Sequence, residues 1–185
     1  MPSALEYEQQ ILTYDWEQLL TLWEAVESRD TPDWDAGKAF EYLVLRAFQL
    51  DQADVVYPYG VRVSGAEIEQ IDGILYTEGL ACLVECKDWS DGVSIEPIAK
   101  MRNQLMRRHA STIGIVFSQG GFTVPAIILA RYVAPQMILL WNGDEVGYAL
   151  RQRQMRSSLR AKYRFCIEQG DPLFDIRPRE EREVL

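Results

Sequence analysis

Asp72, Glu85 and Lys87 are the residues of this 185-residue chain whose types and spacing could do chemistry together. Alternate residues of a strand project to one face, so Glu85 and Lys87 share a face at the end of Leu80-Ala81-Cys82-Leu83-Val84. Ile74-Leu75-Tyr76-Thr77 reads as a second strand that enters Glu78-Gly79, and the two strands form a hairpin. If Glu78-Gly79 is a two-residue turn, paired positions sum to 157 and Asp72 faces Glu85, with β-carbons roughly 4.5 to 5.5 Å apart. Glu is a poor residue for a position that wants φ > 0. A three-residue loop with Gly79 left-handed would shift the pairing by one and turn Glu85 to the other face. Carboxylates that face each other repel, so the two-residue register calls for a cation between them. Two hard oxygen ligands on a divalent ion, with an amine alongside, are equipment for hydrolysis: the ion activates water and neutralises charge on a phosphate.

These residues must be positioned by flanking elements. Phe40, Leu43, Val44, Ala47 and Phe48 mark the apolar face of a helix over about 36–50, and Glu41 lies beside that stripe. Residues 55–63 read as a strand interrupted or bulged at Pro58, so three strands are expected in succession after the helix. A helix follows over 95–110, with Pro97 in its first turn, and Thr112–Ser118 reads as a buried parallel strand. Thr123 caps a helix carrying Ala126 to Val133, Met137–Trp141 is the next strand, and Asn142-Gly143 signals a tight turn. The order α-β-β-β-α-β-α-β describes an α/β fold with a mixed sheet between helices.

Two helical extensions flank this core. Trp16, Leu19, Leu20, Trp23 and Val26 make an amphipathic helix over 15–28, within an acidic segment 1–33. Residues 150–169 read as one helix stopped by Gly170, with Arg153, Arg156, Arg160 and Arg164 along one strip, and the tail 171–185 as loose. The organisation expected is therefore 1–33, a core over 34–150, and a basic helix and tail over 151–185.

Net charge is −9, which by itself argues against a nucleic-acid partner. The distribution alters that: residues 1–36 hold nine acids and only Arg29, leaving 18 basic and 19 acidic residues in the rest, a net of −1. Positive charge clusters at 100–108 and 151–164. No apolar stretch approaches the length of a membrane span and no targeting signal is visible, so a cytoplasmic protein is expected. Cys82, Cys86 and Cys166 have no metal-ligand spacing, and His109 is the only histidine, which excludes a histidine-rich metal site.

Four stretches stand out in order: Gly37-Lys38-Ala39-Phe40-Glu41, Ile71-Asp72-Gly73, Leu83-Val84-Glu85-Cys86-Lys87, and Gly114-Ile115-Val116-Phe117-Ser118 with Phe122-Thr123 and Ala126. Together they resemble the PD-(D/E)xK nuclease superfamily, with its restriction-endonuclease-like core, most nearly the methylated-DNA (type IV) restriction endonucleases. Ile71 stands where the literal motif has proline, a residue with no catalytic chemistry. The resemblance covers roughly residues 36–150 and implies a DNA endonuclease of restriction or repair. Asp72, Glu85 and the carbonyl of Cys86 would hold Mg²⁺ or Mn²⁺, and Lys87 would orient or deprotonate water or stay charged to steady the transition state. Glu41 would anchor a second metal or a water network, with Gln104 a further candidate on the helix behind. DNA is the implied partner, its phosphates meeting Arg153, Arg156, Arg160 and Arg164, with a homodimer or a specificity subunit as possible company. The alternative is a nuclease-fold module without catalysis that binds DNA or a protein through its acidic N-terminal helix.

Overall fold

The computed structural model describes residues 4–182. Its centre is a five-stranded sheet in the order β1-β4-β5-β6-β7, built from Asp54–Val56, Gly73–Thr77, Leu80–Lys87, Thr112–Ser118 and Ile138–Asn142. β5 pairs antiparallel with β4 and parallel with β6, and β7 extends the parallel side. The hairpin has the two-residue register: Gly73 faces Val84 and Thr77 faces Leu80, so pairs sum to 157. Glu78 and Gly79 both have positive φ, 53° and 77°, the geometry that matches strand twist. Regular pairing stops at Gly73, leaving Asp72 just beyond the ladder but on the expected side.

Residues between β1 and β4 depart from the expected single strand. Pro58 divides it, and Tyr59–Val63 (β2) pairs instead with Ala66–Ile71 (β3) as a separate two-stranded sheet. Five strands therefore precede the next helix, three of them in the main sheet. The second hairpin turns at Ser64-Gly65, again at positive φ.

Alternation along β5 sorts the layers. Cys82, Val84 and Cys86 join the core formed with α3 (Lys38–Leu50), which also takes in residues of α1 (Ala4–Leu12) and α2 (Trp16–Glu27). Leu83 points the other way, to α4 (Ile95–Leu105) and α5 (Val124–Arg131). Glu85 and Lys87, two and four residues on, therefore belong to the α4 side. Helix α4 can lie close there because β6 has Gly114 beneath it: a Cβ at that position would stand 2.6 Å from Met101 Cγ. Lys100, next to Met101, is thereby brought down beside the end of β5.

Two expectations near the C-terminus are corrected. Asn142-Gly143 is not a tight turn: Asn142 caps α6 (Gly143–Gln152), its side chain accepting from Glu145 N–H while the Glu145 side chain accepts from Asn142 N–H. The expected single helix over 150–169 is two, because Arg153 adopts a left-handed conformation (φ 54°) that ends α6 before α7 (Met155–Gln169) begins. Arg153 is therefore not on the strip formed by Arg156, Arg160 and Arg164. Part of the tail is tied down: Lys162 of α7, fully buried, donates to Leu140 O and Phe174 O and pairs with Glu145 at 2.7 Å. Residues 183–185 of the tail lie outside the described residues. Among the described residues no helix is long and apolar enough to cross a membrane.

Gly114→Val should force α4 off the sheet. A loss of about 1 to 3 kcal/mol is expected from overpacking, read as a lower urea midpoint at unchanged slope.

Candidate active site

The end of β5 carries three consecutive residues of the site. Glu85, 1% exposed, and Lys87 project toward α4, while the backbone of Cys86 between them donates its N–H to Asp72 Oδ2 at 2.7 Å. That hydrogen bond, beyond the last ladder pair, holds Asp72 against the strand. Lys87 Nζ lies 2.6 Å from Glu85 Oε1, and Lys100 Nζ reaches both oxygens of the same carboxylate at 2.9 and 3.0 Å.

Glu41 arrives from the first turn of α3. Gly37 precedes that helix in a left-handed conformation, and Lys38 Nζ contacts Glu41 Oε2 at 2.7 Å. One cavity of about 500 Å³ is lined by Lys38, Glu41, Asp72, Glu85, Cys86, Lys87, Trp89 and Lys100, among others. Four carboxylates, Glu41, Asp72, Glu85 and Asp88, thus meet three ammonium groups at the edge between the two helical layers.

Electrostatics follow from burial. Glu41 is pushed up to about 7 from an ordinary 4.5, first by desolvation and then by the charge of Asp72, against the pull of Lys38 and Lys87. Asp72 is raised by burial and by Glu85, although its hydrogen bond from Cys86 works the other way. Burial alone would lower Lys87, but Glu85 and Asp72 outweigh it and raise the amine. Without a cation, then, Lys87 is a firm ammonium rather than a base.

Four of the five residues expected to do chemistry, Glu41, Asp72, Glu85 and Lys87, line this cavity, and so does Cys86. Gln104 does not: it lies one helical turn beyond Lys100, 2% exposed, beside an adjacent cavity of about 450 Å³ that shares Gln70 and Lys100 with the first. Its Nε2 donates to Gln70 O at 3.4 Å, and its Oε1 has no partner among the described residues. Lys100 is the α4 residue that reaches Glu85, and sequence reasoning missed it. Its one signal was membership of the acid-free basic cluster at 100–108.

The α7 arginines lie elsewhere. Arg156 donates to Thr77 Oγ1 and Glu78, and Arg160 pairs with Glu78 at 3.5 Å, so both flank the hairpin turn. Arg164 pairs with Glu168. From Leu80 beside that turn to Glu85 is five residues of strand, roughly 17 Å.

Two outcomes are expected in EDTA. Because Glu41 is raised in the folded state, the fold binds more protons than the unfolded chain between about pH 4.5 and 7, so stability falls as pH rises through that window. One group contributes a slope of at most about 1.4 kcal/mol per pH unit. Glu41→Gln should flatten the decline in melting temperature across the window. Asp72→Asn should raise the melting temperature at neutral pH by relieving repulsion with Glu85, worth roughly 0.2 to 1 kcal/mol. Lower stability from that substitution would make Asp72 a structural anchor for β5 instead.

No protein of curated function matches the chain in sequence. Among solved structures, a DNA modification-dependent restriction endonuclease, AspBHI, matches with a TM-score of 0.44 and 13% identity, covering 87% of this chain and 42% of its own length. The chain thus spans less than half of that protein. The family model described as restriction endonuclease (Mrr_cat) matches residues 35–150, a span containing Glu41, Asp72, Glu85, Lys87 and Lys100. The chain belongs to the restriction endonuclease family.

Proposed function

We propose that this protein is a Mg²⁺- or Mn²⁺-dependent DNA endonuclease acting in restriction or repair of foreign or modified DNA. The observation that carries the reading is the convergence of Asp72, Glu85 and Lys87 in one cavity of a restriction endonuclease domain. Among the described residues no three His, Cys, Asp or Glu groups gather closely enough to cage a metal with side chains alone. That suits Mg²⁺, which takes one or two carboxylates and completes its shell with water and substrate phosphate. Asp72, Glu85 and the carbonyl of Cys86 are the oxygen donors that fit it. The ion, when bound, would lower the pKa of a coordinated water and neutralise charge on the scissile phosphate.

The chain's own residues supply the rest. Asp72, held by Cys86 N–H, fixes one side of the cation site, and Glu85 fixes the other from a strand that cannot shift within the sheet. Lys87, charged and 2.6 Å from Glu85, is placed to hold the attacking water in line and to steady the pentavalent phosphate. Glu41, able to exchange a proton near neutrality, is suited to a second ion or to a water network. Lys38 and Lys100 attract the DNA phosphates flanking the cut. Arg160 and Arg164, 67% and 77% exposed, are proposed to meet phosphates farther along the DNA, with Arg156 on the same strip.

One observation favours a module without catalysis: Glu85 is already neutralised by Lys87 and Lys100, so the fold can persist with no cation.

Metal and turnover separate the readings. The purified protein should cleave DNA with Mg²⁺ or Mn²⁺ and not with EDTA. Lys87→Ala should lower turnover at least 100-fold, in line with the weight of a general acid–base or charge-stabilising group. Millimolar Mn²⁺ should raise the melting temperature of wild type and hardly that of Asp72→Asn. No Mn²⁺ shift in wild type, together with no cleavage, favours the inert module.

A further inference from the structure

Two residues past Lys87 the chain has left β5 and presents Trp89 at the mouth of the carboxylate cavity. The ring lines that cavity, its centroid is 5.9 Å from Lys87 Nζ, and it is 43% exposed, whereas Trp23, Trp34 and Trp141 are buried. Exposure alone says little, since Tyr132, Val124 and Met106 are more exposed; what sets Trp89 apart is that its ring lines the carboxylate cavity beside Lys87.

The backbone that carries the ring is firmly held. Gln119 N–H donates to Lys87 O at 3.0 Å, Val93 N–H to Gly121 O at 2.8 Å, and Thr123 N–H to Val93 O at 3.0 Å. Arg29, at the end of α2, donates to Asp88 O and to Gln119 Oε1. A Cβ at Gly120 would lie 2.5 Å from the carbonyl oxygens of both Trp89 and Ser90, so glycine is what allows the two loops to press together. The ring is therefore displayed from a fixed base rather than from a loose loop.

We propose that Trp89 is a stacking platform for an unpaired base of the DNA strand whose phosphate lies at Lys87, which makes single-stranded or locally unpaired DNA the preferred substrate. This rests on the reading of the site as a nuclease. Inside a duplex both faces of a base are covered by its neighbours, so an indole can stack only on a base that has left the helix. Extruding a paired base costs unpairing and unstacking, and that cost is least where the strand is already single or mismatched. Stacking on an aromatic ring tolerates any base, because every base has a π-face. Lys87 holds a phosphate while the adjacent ring receives the base of that nucleotide, a two-point grip on one strand. A role confined to orienting Lys87 through its cation–π contact would instead affect every substrate alike.

The test measures binding of a fluorescently labelled oligonucleotide, single-stranded or as a blunt duplex of the same sequence, by anisotropy in EDTA, where no cleavage intervenes. Wild type should bind the single strand more tightly than the duplex. Trp89→Ala should lose about 5- to 150-fold in affinity for the single strand, the span reported by removal of one stacking ring, and little for the duplex. Trp89→Phe, which keeps a ring, should retain most of the difference and guards against misfolding of the smaller variant. Equal losses on both DNAs, no loss at all, or a wild type that binds neither would overturn the platform. Should Trp89→Ala bind both DNAs as wild type does while the protein still cuts with Mg²⁺, the platform falls and the nuclease stands. Should the strand-selective loss appear in a protein that never cuts DNA, the reverse holds.

Discussion

A carboxylate that is 99% removed from water, at the end of a central strand, has to be neutralised, and everything around Glu85 serves that need. Lys87 comes from the same strand face, two residues on, at no topological cost. Lys100 has to come from another layer, and it reaches Glu85 only because α4 settles onto Gly114 of β6. Removing either amine leaves a buried charge less compensated, and removing the carboxylate leaves two ammonium groups repelling each other. Helix placement, sheet register and the chemistry of the cavity are thus one electrostatic arrangement. A divalent cation entering it would compete with the lysines for the same oxygens, so the position of Lys87 and the occupancy of the ion site are linked.

Much of this was legible in the residues because short-range rules fixed it. The Glu78-Gly79 turn set the parity of the hairpin, which puts Glu85 on the side of Asp72, and strand alternation keeps Lys87 with it. Glu78 adopts positive φ despite its poor propensity, and its carboxylate pairs with Arg156 and Arg160, a long-range contact that no local rule contains. The family resemblance added Glu41, whose helical periodicity alone marks it only as a flank of the apolar stripe. The structure brings it into the cavity with the motif residues.

The misses share a cause. Asn-Gly is a turn signal between two strands, but Asn142 stands between a strand and a helix and has Glu145 three residues later, so capping wins over turning. The break at Arg153 does leave a mark, since Leu150 and Met155 are five residues apart and cannot share one helical stripe, but the regular steps Met155, Leu159, Tyr163 dominate the pattern over 150–169. The Ser64-Gly65 hairpin was hidden by polar residues where a strand pattern was sought. Lys100 could not be found without knowing which face of α4 meets which end of β5. The role of Arg29, the sole base of the first 36 residues, was likewise visible only in three dimensions: it pairs with Asp88 and donates to Gln119, fastening the end of α2 to the loops beside the cavity.

The buried partnership of Glu145 with Lys162 bears on where this unit could be severed. The family signature ends at residue 150, between the two partners. A chain cut there would keep Glu145 inside the protein, still accepting from Asn142, but would lose Lys162 and the backbone N–H of Ile176 that also reaches it. It would also lose Met155 and Leu159 from the core and Pro172 O, which receives Leu140 N–H at the margin of the sheet. The smallest autonomous piece therefore extends well past its recognisable motifs. Conversely, anything joined to this domain on its C-terminal side is best attached beyond Arg177, which still pairs with Asp144 of α6 at 3.2 Å.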